Sequence, residues 1–354
     1  MNLKPLGWQD DFEEAFEPYK ADGYMPGRIA LEHKGMYRVF TEHGDLLAEV
    51  TGSLRFRAET REDFPAVGDW VVLEPRPGEE RASIHAVLPR QSKFSRKAAG
   101  TDTSEQLIAT NIDTVFLLNA LNHDFNVRRM ERYLTITWES GANPVIILSK
   151  ADLCSNIDEK IADVEAVAFG VPIHVISAAN NEGLDELAPY FEKNETVALL
   201  GSSGVGKSTL INRLYGEDIQ NVKEAREDDD RGRHTTTHRE LILLPDGGIL
   251  IDTPGMRELQ LWESGDSLSH SFGDIEELAG NCKFRDCQHK SEPGCAIQEA
   301  LEDGTLDQDR FNNYLKLQRE LAFLERKTNK RLQREERNKW KKIAGDRTRV
   351  HRQR

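Results

Sequence analysis

Apolar positions along the chain change period twice, and each change marks a different kind of element. Phe12, Phe16 and Tyr19 recur at helical spacing within residues 1–24 and predict a short leading helix. From Gly27 the spacing tightens into short alternating segments, RIALEH, GMYRVFTEHG, DLLAEVTG, DWVVLEP and ASIHAVLPR, parted by Gly and Asp turns. Five such strands predict a small β-barrel over residues 25–100, with the OB-fold the commonest candidate and an SH3-like barrel the alternative.

Beyond a polar stretch at 95–106 the pattern becomes strand, helix, strand, helix. IDTVFLLN (112–119) reads as a buried strand, 127–140 as a helix, PVIILSK (144–150) as a strand and 156–169 as a helix. PIHVISA (172–178) is a third strand, NEGLDELAPYF a helix after it, and TVALLG another strand. This alternation predicts an α/β domain over 105–265, a parallel doubly wound sheet with its ligand sites at the strands' carboxyl ends. Residues 216–238 carry no apolar period, which inside a compact domain marks a functional loop; strands ELILLP and GILID follow. Residues 266–325 read as a helical domain, one helix carrying Phe311, Tyr314, Leu315, Leu321 and Leu324.

Composition narrows the setting. At 354 residues the chain has room for several domains, and no apolar run approaches the roughly 20 residues of a membrane helix. The start, MNLKPLGWQDDFEEAFEP, lacks a basic segment followed by an apolar core, so a cytoplasmic protein without a membrane partner is expected. The net charge of −14 is unevenly spread: residues 326–354 hold 13 Lys or Arg against 3 Asp or Glu, a net of +10, leaving −24 on the rest. An acidic body with a basic tail suits a polyanionic partner, and Arg55, Arg57, Arg61, Arg90, Lys93, Arg96 and Lys97 tilt the barrel the same way, toward RNA.

The sharpest chemistry lies at LLGSSGVGKST, residues 199–209. Gly201, Ser202, Ser203, Gly204, Val205, Gly206, Lys207, Ser208 and Thr209 form a phosphate-binding loop between a strand and a helix. The glycines let backbone N–H groups approach phosphates, Lys207 reaches the β and γ oxygens, and Ser208 ligates Mg²⁺. Downstream, ILIDTPG offers Asp252 for Mg²⁺ and Gly255 for the γ-phosphate, a D-x-x-G pattern. Between them GRHTTTH supplies Thr236, with Thr235 and Thr237 as alternates, to complete the Mg²⁺ shell.

A guanine-binding protein then needs N-K-x-D and S-A-x, and nothing after Gly255 fits. Both lie upstream. SKAD places Ser149, Lys150 and Asp152 at one strand end, and SAA places Ser177 and Ala178 at the next. An aspartate there accepts hydrogen bonds from guanine N1–H and its 2-amino group, which adenine does not offer; Lys150 packs along the base and the Ala178 N–H meets O6. The motif order is therefore that of a circularly permuted GTPase. An ATP-dependent P-loop enzyme is the rival reading, and it leaves SKAD and SAA as coincidences.

Three of the four cysteines crowd into CKFRDCQHKSEPGC. Cys282, Cys287, His289 and Cys295 have the spacing C-x₄-C-x-H-x₅-C, three thiolates and an imidazole that suit one closed tetrahedral Zn²⁺ site of structural role.

A small barrel, a permuted centre with GSSGVGKST, GRHTTTHRE and DTPGMRE, and this cysteine–histidine cluster together resemble the ribosome small-subunit-dependent GTPase A family, RsgA, over most of the chain. The resemblance implies a bacterial, cytoplasmic factor that binds the small (30S) ribosomal subunit and its rRNA late in maturation. It would hydrolyse GTP to GDP when bound there, using Mg²⁺; a monomer is the simplest expectation. Two positions depart from the usual GTPase pattern. Ser149 replaces the Asn that ties the base-reading loop to the P-loop, which bears on nucleotide affinity. Met256 replaces a water-orienting Gln, so intrinsic turnover is expected to be slow. His234, just before the threonines, is the expected water-positioning group once the ribosome orders its loop, with Lys207 and Thr236 the other catalytic groups. A nucleotide-gated RNA-binding protein with negligible hydrolysis is the alternative that Met256 raises.

Overall fold

The alternating segments after Gly27 close on themselves. In a computed structural model of the chain, residues 3–97, 105–217, 239–252 and 266–328 are described, in two units, 1–260 and 261–354. Strands β1 (Met25–His33), β2 (Met36–Thr41), β3 (Gly44–Val50), β4 (Trp70–Pro75) and β5 (Arg81–Val87) run in the order β1-β2-β3-β5-β4, and β4 pairs back to β1. That closed five-stranded order, with β3 and β5 parallel, is OB-like. Two left-handed residues, Lys34 and Gly35, turn β1 into β2, as a two-residue hairpin demands. Ile29, Val39, Val71, Leu73 and Ile84 fill the barrel. Helix α1 (Asp10–Lys20) buries Phe12 and Phe16, and Trp8 meets Trp70 edge-on at 4.6 Å.

The stretch read as a polar connection contains an antiparallel ribbon, β6 (Lys93–Lys97) with β7 (Glu105–Thr110). The parallel sheet follows: β8 (Thr114–Ala120), α3 (Val127–Ser140), β9 (Asn143–Ser149), α4 (Ile157–Glu165), β10 (Ile173–Val175), β11 (Thr196–Gly201) and α5 (Lys207–Tyr215). Strands β12 (Glu240–Leu243) and β13 (Ile249–Asp252) complete the order β10-β9-β8-β11-β13-β12, in which only β12 is antiparallel. All seven residues of β8 and all six of β11 are buried, as expected of strands covered on both faces. The element over NEGLDELAPYF differs from the helix its spacing suggests. It forms 3₁₀ turns over Asp185–Asn194, because Pro189 removes a donor and Lys193 and Asn194 adopt left-handed backbone.

Barrel and sheet share one hydrogen-bonded surface, since Leu31 of β1 pairs with Glu240 of β12. Arg28 of β1 fastens the junction. Only 1% exposed, it donates to the carbonyls of Gly68 (3.3 Å), Leu6 (2.5 Å) and Asn111 (3.0 Å) and to Thr196 Oγ1 (2.9 Å). Burial lowers its pKa to about 10, against the opposing pull of Asp113 and Asp69, so it stays charged at neutral pH.

In the second unit, helices Asp266–Ser271, Gly273–Gly280, Ala296–Glu302 and Gln308–Thr328 enclose Leu268, Phe272, Ile275, Ile297, Phe311, Tyr314 and Leu317. Arg310 lies over the Phe272 ring at 4.9 Å and grips Asp274 through two bonds of 2.9 and 2.7 Å.

Truncating Arg28 would orphan several buried acceptors at about 1 kcal/mol each. Arg28→Leu is therefore expected to lower unfolding stability by roughly 3 kcal/mol, read as a shift of the urea midpoint; an unshifted midpoint would show that the junction holds without it.

Candidate nucleotide and metal sites

The candidate nucleotide residues converge because β9, β10, β11 and β13 are parallel and end on one edge of the sheet. At the end of β11 the chain turns through Gly201–Gly206, with Gly204 and Gly206 at φ +73° and +104°, before α5 begins at Lys207. A Cβ on Gly201 would sit 2.9 Å from the Leu118 carbonyl, so that position is closed to larger residues. The Lys207 ammonium folds onto the carbonyls of Gly201 and Ser202, both at 2.7 Å. Ser203 is exposed on the loop and Ser208 and Thr209 on the first turn of α5, while Val205 is buried beneath.

Beside this loop stand the two base-side segments. Lys150 takes a left-handed backbone that turns the chain out of β9 into the short turn Ala151–Leu153. Asp152 is exposed, and its Oδ1 accepts the Ser177 hydroxyl at 2.5 Å. Ala178 follows at the next strand end, and its carbonyl accepts Arg213 Nε from α5 at 3.0 Å. Ser149 is 4% exposed and donates its hydroxyl to the Val205 carbonyl at 2.7 Å. The serine thus keeps the tether to the P-loop that its replacement of asparagine had placed in question. Asp252 ends β13, the strand beside β11. His234, Thr235, Thr236, Thr237, Gly255, Met256 and residues 329–354 of the basic tail lie outside the described residues.

Two residues here had no motif to announce them. Arg213 is one. Asp124 is the other: it follows β8, the neighbour of the P-loop strand, and accepts the Ser202 hydroxyl at 2.5 Å while pairing with Arg129 at 3.0 and 3.2 Å. The Ser202 bond, aided by Arg129, holds its carboxyl below the usual range. The signal available in the sequence was only its position just past a buried strand.

In the second unit one ligand atom from each of Cys282, Cys287, His289 and Cys295 lies within 4.8 Å of the others. Cys282 Sγ is 3.9 Å from Cys295 Sγ, and each is 3.5 Å from His289 Nδ1. Zn–S and Zn–N bonds of about 2.3 and 2.0 Å at tetrahedral angles give edges of roughly 3.8 and 3.5 Å, so the donor set fits zinc. His289 (φ 56°) turns its ring inward from a left-handed position, and its carbonyl accepts Gln298 Nε2 at 2.7 Å. Glu292 braces the same loop through the N–H groups of Lys290 and Gln288, and its pKa falls to about 2.

A parallel sheet whose base-side strands precede its P-loop strand is the architecture of a circularly permuted P-loop GTPase. The RsgA GTPase family profile matches residues 87–262. Small ribosomal subunit biogenesis GTPase RsgA 1 of Oceanobacillus iheyensis is 52% identical over 95% of this chain and 97% of its own length. The RsgA of Opitutus terrae is 47% identical over 97% and 96%. Among solved structures, YjeQ from Thermotoga maritima superposes with a TM-score of 0.63 at 26% identity, covering 84% of this chain and 99% of that one. YloQ, described as a circularly permuted GTPase, gives 0.60 at 25% identity over 84% of this chain and 95% of that one. The chain belongs to the RsgA GTPase family.

The Ser149 tether predicts that Ser149→Ala weakens GDP binding about fivefold, the worth of one net hydrogen bond, in a fluorescent-nucleotide titration. Unchanged affinity would show that the base loop stands without it.

Proposed function

We propose that this protein binds the small ribosomal subunit during its late maturation and hydrolyses GTP to GDP and phosphate with stimulation by the subunit. The observation that carries the nucleotide half is the Asp152 carboxylate, held by Ser177 at the end of β9 and tethered through Ser149 to the P-loop. Asp152 reads guanine N1–H and the 2-amino group, Lys150 covers the base, and the Ala178 N–H takes O6. Gly201 to Thr209 wrap the phosphates, and Lys207 leaves its two loop carbonyls for the β and γ oxygens. Ser208, Asp252 and Thr236 hold Mg²⁺, Gly255 meets the γ-phosphate, and His234 orients the attacking water that Met256 does not. The names of the relatives supply the subunit as partner. Its rRNA meets the basic residues of the barrel and of 326–354, whose phosphate contacts make binding salt-dependent. The protein works in the cytoplasm as a monomer; no helix among the described residues is long and apolar enough to cross a membrane.

One zinc on Cys282, Cys287, His289 and Cys295 is structural, because four protein donors leave no open position for water. Metal analysis is expected to find one zinc per chain, and a chelator that strips it is expected to unwind the helices around Cys295 while GTP binding persists. Stripped protein with undiminished helical signal would refute the structural role.

Steady-state turnover of GTP and ATP, each with and without purified small subunits, tests the main reading. Slow GTP hydrolysis that rises many-fold only with subunits is expected, and preference for ATP would overturn the role of Asp152. His234→Ala is expected to lower the stimulated rate by about 100-fold at unchanged GTP affinity, the range for a lost general base or water-positioning group.

A further inference from the structure

Two phenylalanines stand almost wholly in water. Phe169 is 100% exposed, with Ala168 and Gly170 beside it; Phe56 is 92% exposed, with Arg55 on one side and Arg57 on the other. Phe56 does not sit on a frayed end. It lies on a one-and-a-half-turn helix, α2 (Gly52–Arg57), whose first turn is capped by Thr51 Oγ1 accepting the Leu54 N–H at 3.1 Å and whose Leu54 is buried in the barrel. The fold holds the ring outward on a fixed base. An apolar ring held in water, with an arginine before and after it in the chain, suits an aromatic stacking contact to a nucleic-acid base, the cations taking nearby phosphates.

The surroundings agree. Arg57 donates to the carbonyls of Ser53 and His85 at 3.4 and 3.2 Å, and among the described residues neither Arg55 nor Arg57 is paired with a carboxylate. Beside the helix runs a groove of about 460 Å³ lined by Leu54, Arg57, Ala58, His85, Val87 and Pro89. Its acids are engaged already: Asp63 Oδ2 accepts the Glu59 and Thr60 N–H groups and the Thr60 hydroxyl, and Glu62 lies 3.5 Å from Lys93 Nζ. The groove adjoins β5 and the connection between β3 and β4, and none of its lining residues belongs to β2 or β3, the strands by which OB-folds usually hold oligonucleotides.

We infer that Phe56, between Arg55 and Arg57, is a stacking site for an unpaired RNA base, whose flanking backbone lies along this groove. The inference rests on the proposed subunit-binding function for the source of the RNA, and on the geometry for its single-stranded character.

The test is a titration of the full chain, without nucleotide, against a fluorescent single-stranded RNA of about 12 nucleotides and against the corresponding duplex. Phe56→Ala is expected to weaken single-strand binding about tenfold and leave duplex binding unchanged. Phe56→Trp is expected to restore it, with quenched indole fluorescence on binding. Replacing Arg55 and Arg57 by Ala should flatten the salt dependence, and Phe169→Ala should change nothing. The inference falls if the wild-type chain does not bind the single strand, or if Phe56→Ala binds it as the wild type does or loses duplex binding equally. It falls too if Phe56→Ala loses affinity for purified small subunits but not for the free RNA, which would assign Phe56 to a protein partner. Subunit-stimulated GTP turnover, measured separately on the wild type, decides the broader function, so the two can fail independently.

Discussion

A buried cation bonded to carbonyls and a hydroxyl, with no carboxylate in direct contact among the described residues, organises the first unit. Arg28 reaches the Leu6 carbonyl before α1, that of Gly68 ahead of β4, that of Asn111 between β7 and β8, and the Thr196 hydroxyl at the start of β11. Arginine serves here because its planar fork presents five donors in fixed directions and resists deprotonation even when burial draws its pKa to about 10. The charge is balanced at one remove, by Asp113, which accepts the Thr196 N–H at 2.7 Å, and by Asp69. Asp69 in turn accepts Arg90 at 2.7 and 2.8 Å, the Thr110 hydroxyl at 2.7 Å and the Ala66 N–H at 2.8 Å. Close packing around this network dictates the nearby backbone: a Cβ on Gly68 would lie 2.1 Å from the Thr110 carbonyl, and a Cβ on Gly7 would lie 2.4 Å from Arg28 itself. The barrel and the sheet are therefore one folded body, joined by buried polar bonds as well as by the β1–β12 pairing.

The permuted order leaves the tethers at the nucleotide edge in place because hydrogen bonds depend on where strand ends lie, not on which is made first. Ser149 to Val205 spans 56 residues of sequence, Ser177 to Asp152 spans 25, Arg213 to Ala178 spans 35 and Ser202 to Asp124 spans 78. In parallel strands with a common carboxyl edge all four become neighbours. Joining the base-side strands ahead of the P-loop changes only which helices connect them. The loop that would cradle phosphate is braced from Asp124, Ser149 and its own lysine before any ligand arrives, which reduces the ordering that binding must impose.

What the sequence discloses, and what it hides, follows from the range of each interaction. The P-loop, SKAD, SAA and the four metal donors were legible because each depends on residue types at fixed local spacing. The barrel's five strands were legible from alternation, but their closure rests on the β1–β4 pairing, which no local pattern announces. Arg28 reads in RIALEH as an ordinary polar residue, and only its four distant acceptors reveal it. Asp124 and Arg213 were hidden for the same reason. Ser149 misled in the opposite sense: the missing asparagine put the tether in question, yet the serine hydroxyl reaches the Val205 carbonyl of the P-loop, a fact of backbone distance. The turns over Asp185–Asn194 show local propensity yielding to Pro189 and to the left-handed residues that follow it.

The second unit solves a different problem. Its helices Asp266–Ser271, Gly273–Gly280 and Ala296–Glu302 are each no more than eight residues long, below the length at which helices are stable by themselves. So few side chains bury little apolar area, and domains of this size commonly need staples. Among the described residues one such staple and one candidate for a second lie at different places. The Arg310–Asp274 pair, with Phe272 under the guanidinium, joins the long C-terminal helix Gln308–Thr328 to the helix that begins at Gly273. The cysteine–histidine set gathers the intervening loop, and Cys295 is also the residue that begins helix Ala296–Glu302. A metal there would fix the helix start and the loop together, and the Glu292 carboxylate already shapes that loop by accepting three of its N–H groups. Around the buried Phe272, Ile275, Ile297, Phe311 and Tyr314, these polar bonds tie together helices too short to hold by themselves.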